Sequence, residues 1–383
     1  MDTCFAVCSP GLEPFVAREL IDLGLAPSAA PQSAAGQAED SGGIEFPADL
    51  PGIYRANLHL RCASRVLVRL GEFYAAAFPE LRKKAARLPW ERYLRPGQPV
   101  VVRATCHKSR LYHSDGVAER VMGAIGDRVG APPPPGKYDE AGQAPPPQLV
   151  VVRLAHDKAL ISIDSSGALL YRRGYRQAVA KAPLRETLAA GMLLASGWDP
   201  AAPLLDPFCG SGTIAIEAAL LAARLAPGRS RRFAFQDWPT WDAPAWARLL
   251  DEAGQAAAGA APVRIQASDR DAGAIEMARA NAERAGVLPL IEFTRQAVSA
   301  IQPPPGPGWV ITNPPYGLRV SARQDLRNLY AQFGNVLRLK CPGWRVAVLC
   351  NDLLLLSQTR LRLESSLALV NGGLAVRLGR GAV

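Results

Sequence analysis

The spacing of hydrophobic and polar positions changes about halfway along the chain, near Leu184. Beyond that point, apolar stripes at helical spacing alternate with short, continuously apolar runs. "PLRETLAAGMLLASGW", "TIAIEAALLAARLA", "AGAIEMARANAERAG" and "QDLRNLYAQFGNVLRLK" repeat apolar residues every three or four positions and predict helices. Between them "PLLDPF", "VRIQASD", "IEFTRQA", "GWVITNPP" and "WRVAVLC" predict buried strands. This alternation predicts a doubly wound, mostly parallel α/β sheet. At the end, "LALVNGGLAVRLG" sets Asn371-Gly372-Gly373 between two apolar runs, which predicts a terminal antiparallel hairpin.

The first half reads differently. "CFAVCSPGLEPFVARELIDLG" predicts a strand, a loop and a helix stopped at Gly24. "GIEFPADLPGIYRANLHLRCASRVLVRLGEF" returns to a strand and a helix. "PVVVRATCHKSRLYHS" reads as strand and turn, and "DGVAERVMGAIGDRVG" as helix. "LVVVRLAHDKALISIDSSG" predicts two strands joined by a turn at His156 to Lys158. Low-complexity sequence from Pro27 to Gly43 and two proline clusters mark surface loops.

Composition narrows the class. A chain of 383 residues is too long for one ordinary core, so two or three domains are expected. Hydrophobic residues make up 49% and charged residues 20%, as in soluble globular proteins. No apolar run is long enough for a membrane span, and the N-terminus lacks the basic and apolar pattern of a secretory signal. Seven cysteines without a CxxC pair, with four scattered histidines, argue against a zinc site and for a reduced cytoplasmic protein. Lys plus Arg number 44 against 34 Asp plus Glu, which favours a polyanionic partner. Leu81–Arg110 holds nine Lys or Arg against Glu91 alone, a local +8, with Trp90, Tyr93 and Tyr112 in or beside it. Basic and aromatic interleaving suits structured RNA, and Lys83, Lys84, Arg87, Lys108, Arg110 and His113 are the expected contacts. The alternative is a solvated basic face with Trp90 and Tyr93 in the core.

Three motifs carry chemistry. In "LLDPFCGSGTIAIEAA" a strand ends at Asp206, Gly210 and Gly212 form a Gly-x-Gly turn, and a helix starts at Thr213. Glycines let a ligand approach the backbone closely, and free amides at the helix start favour polar or negative groups. The motif is neither a Walker loop nor GxGxxG. In "QASDRD", Asp269 ends the next strand, where a carboxylate can accept from both hydroxyls of a ribose. Asp271 reads instead as a helix N-cap. After the third strand, Gln296 and the Ala297 backbone occupy the position expected to meet an adenine ring. The last motif is "NPPY", Asn313 to Tyr316. Pro314 and Pro315 end the strand and stiffen the loop. The Asn313 amide oxygen and the Pro314 carbonyl offer two acceptors beside the flat face of Tyr316. That combination suits an exocyclic –NH2, whose delocalised lone pair becomes nucleophilic when its N–H groups are held and the nitrogen pyramidalises.

"DPFCGSGT" joined to "NPPYG" resembles the class I S-adenosylmethionine-dependent amino-methyltransferases. "PGLEPFVAREL", "RANLHLRCASRVL", "SRLYHS", "RRGYRQAVAKAPLRETLAAGML" and "FAFQDWPTWDAPAW" resemble the bacterial THUMP-containing rRNA guanine-N2 methyltransferases, over nearly the whole chain. The resemblance implies a ferredoxin-like region at 1–70, a THUMP domain at 71–165 and a Rossmann-like methyltransferase domain at 166–383. It further implies S-adenosylmethionine as donor, bound by Asp206, Phe208, Cys209, Gly210, Gly212, Thr213, Asp269, Arg270, Gln296, Ala297 and Asn313. Gln296–Ala297 departs from the acidic residue that relatives often carry there. Cys209 is expected to pack in its loop, because methylating an amine needs no cysteine adduct. His107 and His113 lack the company a metal site requires. "NPPY" reports a type of nitrogen, not a base, so DNA adenine-N6 or cytosine-N4 and a protein glutamine amide remain alternatives to guanine N2 of 23S rRNA. The 66 residues after Gly317 are taken up by the last strands and helices, so recognition is expected from the basic N-terminal half. The oligomeric state is not legible.

Overall fold

The computed structural model describes residues 1–28, 42–136, 147–176, 184–258, 263–316 and 323–383. Most of the loop expected from Pro27 to Gly43, part of the second proline cluster, and Gly317 lie outside the described residues.

The N-terminal half is built on six strands: β1 (Asp2–Cys8), β2 (Gly43–Ala48), β3 (Ala63–Tyr74), β4 (Val100–His107), β5 (Gln148–Ala155) and β6 (Lys158–Asp164). They form one sheet in the order β2-β1-β3-β6-β5-β4. Only the β4–β5 pair is parallel. Helices α1 (Glu13–Asp22), α2 (Leu50–His59), α3 (Phe78–Ala85) and α4 (Ser114–Val129) accompany it. The long strand β3 pairs with β1 through Ala63–Val68 and with β6 through Leu67–Tyr74, so a single strand serves both parts of the sheet. The predicted turn between β5 and β6 is present. His156 and Asp157 take φ of +50° and +62°, the left-handed pair that a two-residue hairpin requires.

The C-terminal half is built on β7 (Leu204–Asp206), β8 (Ile265–Asp269), β9 (Ile291–Arg295), β10 (Trp309–Thr312), β11 (Arg345–Cys350), β12 (Arg362–Asn371) and β13 (Leu374–Ala382). Their order is β12-β13-β11-β10-β7-β8-β9. The five strands from β11 to β9 are parallel, and β13 runs antiparallel to both β11 and β12. The terminal hairpin is therefore where the glycines predict it, with Gly372 and Gly373 at φ +57° and +84°. Helices α5 (Glu186–Ser196), α6 (Thr213–Ala222), α8 (Ala272–Arg284) and α9 (Arg323–Lys340) match the predicted stripes. The sequence reading did not resolve α7 (Ala243–Ala258) or α10 (Leu353–Gln358) as helices. Helices α5 and α6 are apolar nearly all round, and nearly every one of their residues is buried. Such a helix needs cover on both sides. The N-terminal half supplies part of it: a Cβ at Gly191 of α5 would meet Leu12 beside α1.

A buried polar junction joins the halves. Arg61 donates to the carbonyls of Leu220 (3.3 Å) and Leu225 (2.7 Å), and Arg173 donates to that of Arg61 at 2.6 Å. Glu217 on α6 faces Arg173 at 3.6 Å and accepts from the Tyr175 hydroxyl at 3.1 Å. Next to it, the segment quoted as "FAFQDWPTWDAPAW" folds into an aromatic cluster. Tyr54 of α2 stacks on Phe235 at 4.4 Å, and Phe233, Trp238, Trp241 and Trp246 ring that pair.

Candidate active site

Parallel strands leave their C-terminal ends on one edge, and the order reverses beside β7, where chains of this architecture open a ligand crevice. Asp206 ends β7 and is buried. Its Oδ1 accepts from the Thr312 hydroxyl at 2.6 Å and from the Phe208 amide at 3.4 Å. Thr312 is the last residue of β10, so this bond ties the glycine loop to the strand that carries Asn313. Burial pushes the Asp206 carboxyl up to about 7, and the nearby charge of Asp269 pushes the same way. Gly210 and Gly212 have φ of +50° and +83°. A Cβ on Gly212 would press on Ala278 at 3.0 Å, whereas one on Gly210 would meet nothing within 4 Å. Gly212 thus lets α6 pack on α8, and Gly210 leaves space at the loop surface.

Asp269 ends β8, as predicted. Its carboxylate accepts from the Gly210 amide and from the Asp271 amide, both at 3.0 Å, which fixes it against the glycine loop. Asp271 caps α8 by accepting from the Gly273 amide at 2.8 Å, in keeping with its reading as an N-cap. Arg270 and Ala297 are exposed. Gln296 is half-buried, and its amide donates to the Asp269 carbonyl at 3.0 Å. Gln296 helps to line a cavity of about 240 Å³ with Gln266, Ser268 and Thr294. Phe208 meets Phe333 of α9 edge-on at 5.4 Å. The Cys209 thiol is buried and pushed far above its ordinary range, so it is no thiolate nucleophile. Thr213 is buried, and its hydroxyl accepts from Arg176 at 2.5 Å; the same guanidinium donates to the Leu184 carbonyl and faces Glu186 at 3.5 Å. Arg176, Glu186 and Thr312 were not anticipated from the sequence.

Burial also raises Glu186 to about 7, against the opposing pull of Arg176. Asp206 and Glu186 therefore keep protons in the folded chain that the unfolded chain releases above the ordinary carboxylate range. The stability from that difference is complete below about pH 4 and is lost as pH rises through about 7. The melting temperature of the ligand-free protein should drop between pH 4 and 7, and Asp206→Asn should reduce that drop. Thermal melts at matched ionic strength check this, and an unchanged slope in the variant would exclude Asp206 as a source.

At the tip of β10, Pro314 is buried and Pro315 exposed. The Asn313 side-chain oxygen is buried and has no hydrogen-bond partner among the described residues. Two elements hold the loop that follows. The Tyr330 hydroxyl of α9 donates to the Pro315 carbonyl at 3.4 Å, and the Tyr316 hydroxyl accepts from the Asn371 amide at 2.8 Å. Asn313 and the glycine loop thus share one edge of the sheet, as the strand order predicts. Among the described residues, no three His, Cys, Asp or Glu side chains gather as a metal site, and no helix is long and apolar enough to cross a membrane.

The basic segment is more heterogeneous than its composition implies. Lys83, Arg87, Lys108, Arg110 and His113 are exposed. Lys84 donates to Glu80 at 2.7 Å and to the Tyr74 carbonyl at 2.8 Å. Arg82 pairs with Asp127 and Arg92 with Asp2, while Glu91 pairs with Arg128. Trp90 and Tyr93 lie in the core, with the Trp90 indole donating to the Ala85 carbonyl at 2.9 Å. For these two rings the core alternative holds. Tyr112 is 71% exposed and packs beside His113.

Comparison with known proteins matches this arrangement at three levels. Residues 3–67 match the RlmL ferredoxin-like domain, 75–164 the THUMP domain, and 173–377 the RMKL-like methyltransferase domain. The ribosomal RNA large subunit methyltransferase K/L of Methylococcus capsulatus is 36% identical over 98% of this chain and 50% of its own length. A Synechocystis protein provisionally named an RNA methyltransferase is 34% identical over 98% of this chain and 95% of its own. The chain thus spans about half the length of the K/L relatives. A crystallised protein provisionally described as a methyltransferase, in complex with SAH, superposes with a TM-score of 0.86 at 30% identity, covering 99% of this chain and 97% of the other. The chain belongs to the THUMP-containing, RMKL-like methyltransferase family.

Proposed function

We propose that the protein transfers a methyl group from S-adenosylmethionine to an exocyclic amine of structured RNA, guanine N2 of 23S rRNA being the substrate best supported. The observation that carries this reading is the buried Asn313 oxygen, without a partner among the described residues, on the same edge as the open surface of Gly210. A buried acceptor without a partner costs about 1–3 kcal/mol, and an incoming –NH2 removes that cost. SAH, present in the superposed relative, is the product S-adenosylmethionine leaves behind. The residues fit such a donor. Gly210 admits close approach, the α6 amides beyond Gly212 suit a carboxylate, and Asp269 keeps lone pairs for ribose hydroxyls. Phe208, Cys209, Thr213, Arg270, Gln296 and Ala297 would border it. When bound, the donor supplies a methyl group activated on a sulfonium.

The chain's own part is positioning. The base leaves its stack, Tyr316 faces it, and Asn313 with the Pro314 carbonyl holds the amine. RNA recognition falls to the N-terminal half, divided as 1–70 and 71–165 ahead of the catalytic 166–383, in a cytoplasmic setting. The names of the K/L relatives support 23S rRNA over DNA. Nucleoside mass spectrometry after incubation with donor and either protein-free 23S rRNA or DNA tests this. N2-methylguanosine in the RNA is expected, and methylated DNA with unmethylated RNA would reverse the reading.

Among the basic residues, the exposed ones matter most. Changing Lys83, Arg87 and Lys108 to Glu should weaken RNA binding and flatten its salt dependence by about one unit of log–log slope per lost phosphate contact. Lys84→Glu should do less to the slope, because Lys84 already pairs with Glu80. Filter binding over a salt series reads both, and an unchanged slope in the triple variant would place the RNA elsewhere.

A further inference from the structure

Stacking on a base needs the ring of Tyr316 and not its hydroxyl. Yet that hydroxyl accepts a 2.8 Å hydrogen bond from the side-chain amide of Asn371, in a partly buried setting. Asn371 is the last residue of β12. The ladder fixes its backbone opposite Leu374, and the Gly372-Gly373 turn follows at once. On the other side of the loop, the Tyr330 hydroxyl holds the Pro315 carbonyl. Successive residues of the loop are therefore gripped by two elements, a helix and a hairpin tip. The hairpin is braced in turn, because the turn between β1 and α1 lies against it. Gly11 there has φ +88°, and a Cβ on it would collide with the Ala368 carbonyl and touch Leu369 at 3.0 Å.

We propose that Asn371 is a positioning residue for the reaction, setting the orientation of the Tyr316 ring that receives the target base. Its role for the base rests on the function proposed above; the bond itself does not. A hairpin that merely closed the sheet would need its glycines and its ladder, but no amide aimed at the loop beyond β10.

The test uses the full chain in single-turnover methylation with saturating donor. Asn371→Ala and Tyr316→Phe each remove the bond and should each slow the reaction about tenfold. The double variant should be no slower than either single one, because both lose the same interaction. Asn371→Asp should recover to within about threefold of wild type, since the phenol can donate to a carboxylate. It should recover nothing when residue 316 is Phe. A general structural role for Asn371 would not make its rescue depend on a hydroxyl at 316. Asn371→Ala within twofold of wild type, or losses that multiply in the double variant, would overturn the proposal. A fluorine label on Tyr316, read by NMR without RNA, separates the two readings. If Asn371→Ala leaves the signal unmoved, the bond is not there. If the signal moves while wild type methylates no RNA, the clamp stands and the assigned substrate falls.

Discussion

Asn313→Ala should lower the single-turnover methylation rate by about 10²–10³ while leaving RNA affinity and folding nearly unchanged. The side-chain oxygen that this change removes is buried and has no partner among the described residues. It costs the resting protein free energy, and the cost is relieved when an N–H arrives. The contact should strengthen as the nitrogen pyramidalises toward the methyl group, so its loss should appear in the rate rather than in binding. The fold should tolerate the change, since no native hydrogen bond of that oxygen is lost and Tyr330 and Asn371 still hold the loop at Pro315 and Tyr316. Single-turnover assays with saturating donor and an rRNA fragment measure this. A variant within a few-fold of wild type would mean that the amide does not accept the amine.

The second large effect is on stability. Glu217→Ala should destabilise the protein by about 3–5 kcal/mol, because it strands Arg173 without its facing carboxylate and frees the Tyr175 hydroxyl in a fully buried site. Glu217→Gln, which keeps an acceptor for Tyr175, should cost less. The loss should also loosen the two halves from each other, since Arg61 donates to the carbonyls of Leu220 on α6 and of Leu225 just beyond it at the same place. Denaturant titrations of the three proteins provide the check. Equal midpoints for wild type and the alanine variant would show that the junction does not hold the halves together.

The parts legible in the sequence were those where one residue type admits few conformations. Gly372-Gly373 announced the hairpin, and Asp206, Gly210, Gly212 and Asp269 announced the ends of β7 and β8 and the turn into α6, because strand ends and glycine turns leave short local signatures. The basic segment was legible only as charge. Composition cannot show that Arg82 and Arg92 meet acids at distant positions, or that Trp90 turns inward. The cross-links of the site were missed for the same reason, since Arg176, Asn371 and Tyr330 reach their partners across the fold. Thr312 did leave a signal. A hydroxyl inside the apolar run "WVIT" must find a partner when buried, and the nearest strand-end carboxylate was Asp206. Helix α7 was hidden because its aromatic-rich approach resembles a core fragment more than a surface stripe.

The shared strand β3 has a consequence in time. Its far edge, Leu67 to Tyr74, finds its partner only in Lys158–Asp164. From Tyr74 to Lys158 the ribosome must add 84 residues (158 − 74). At about 5–20 residues per second, that leaves a nascent sheet with one open edge for roughly 4–17 s. An open edge invites pairing with another chain, and charged side chains along it discourage that. Arg65, Arg69 and Glu72 stand at intervals along β3, and Arg65 meets its buried partner, Asp164, only when the last residue of β6 arrives. The ion pair that finishes this sheet thus forms among the last of its contacts, once synthesis has passed the end of β6.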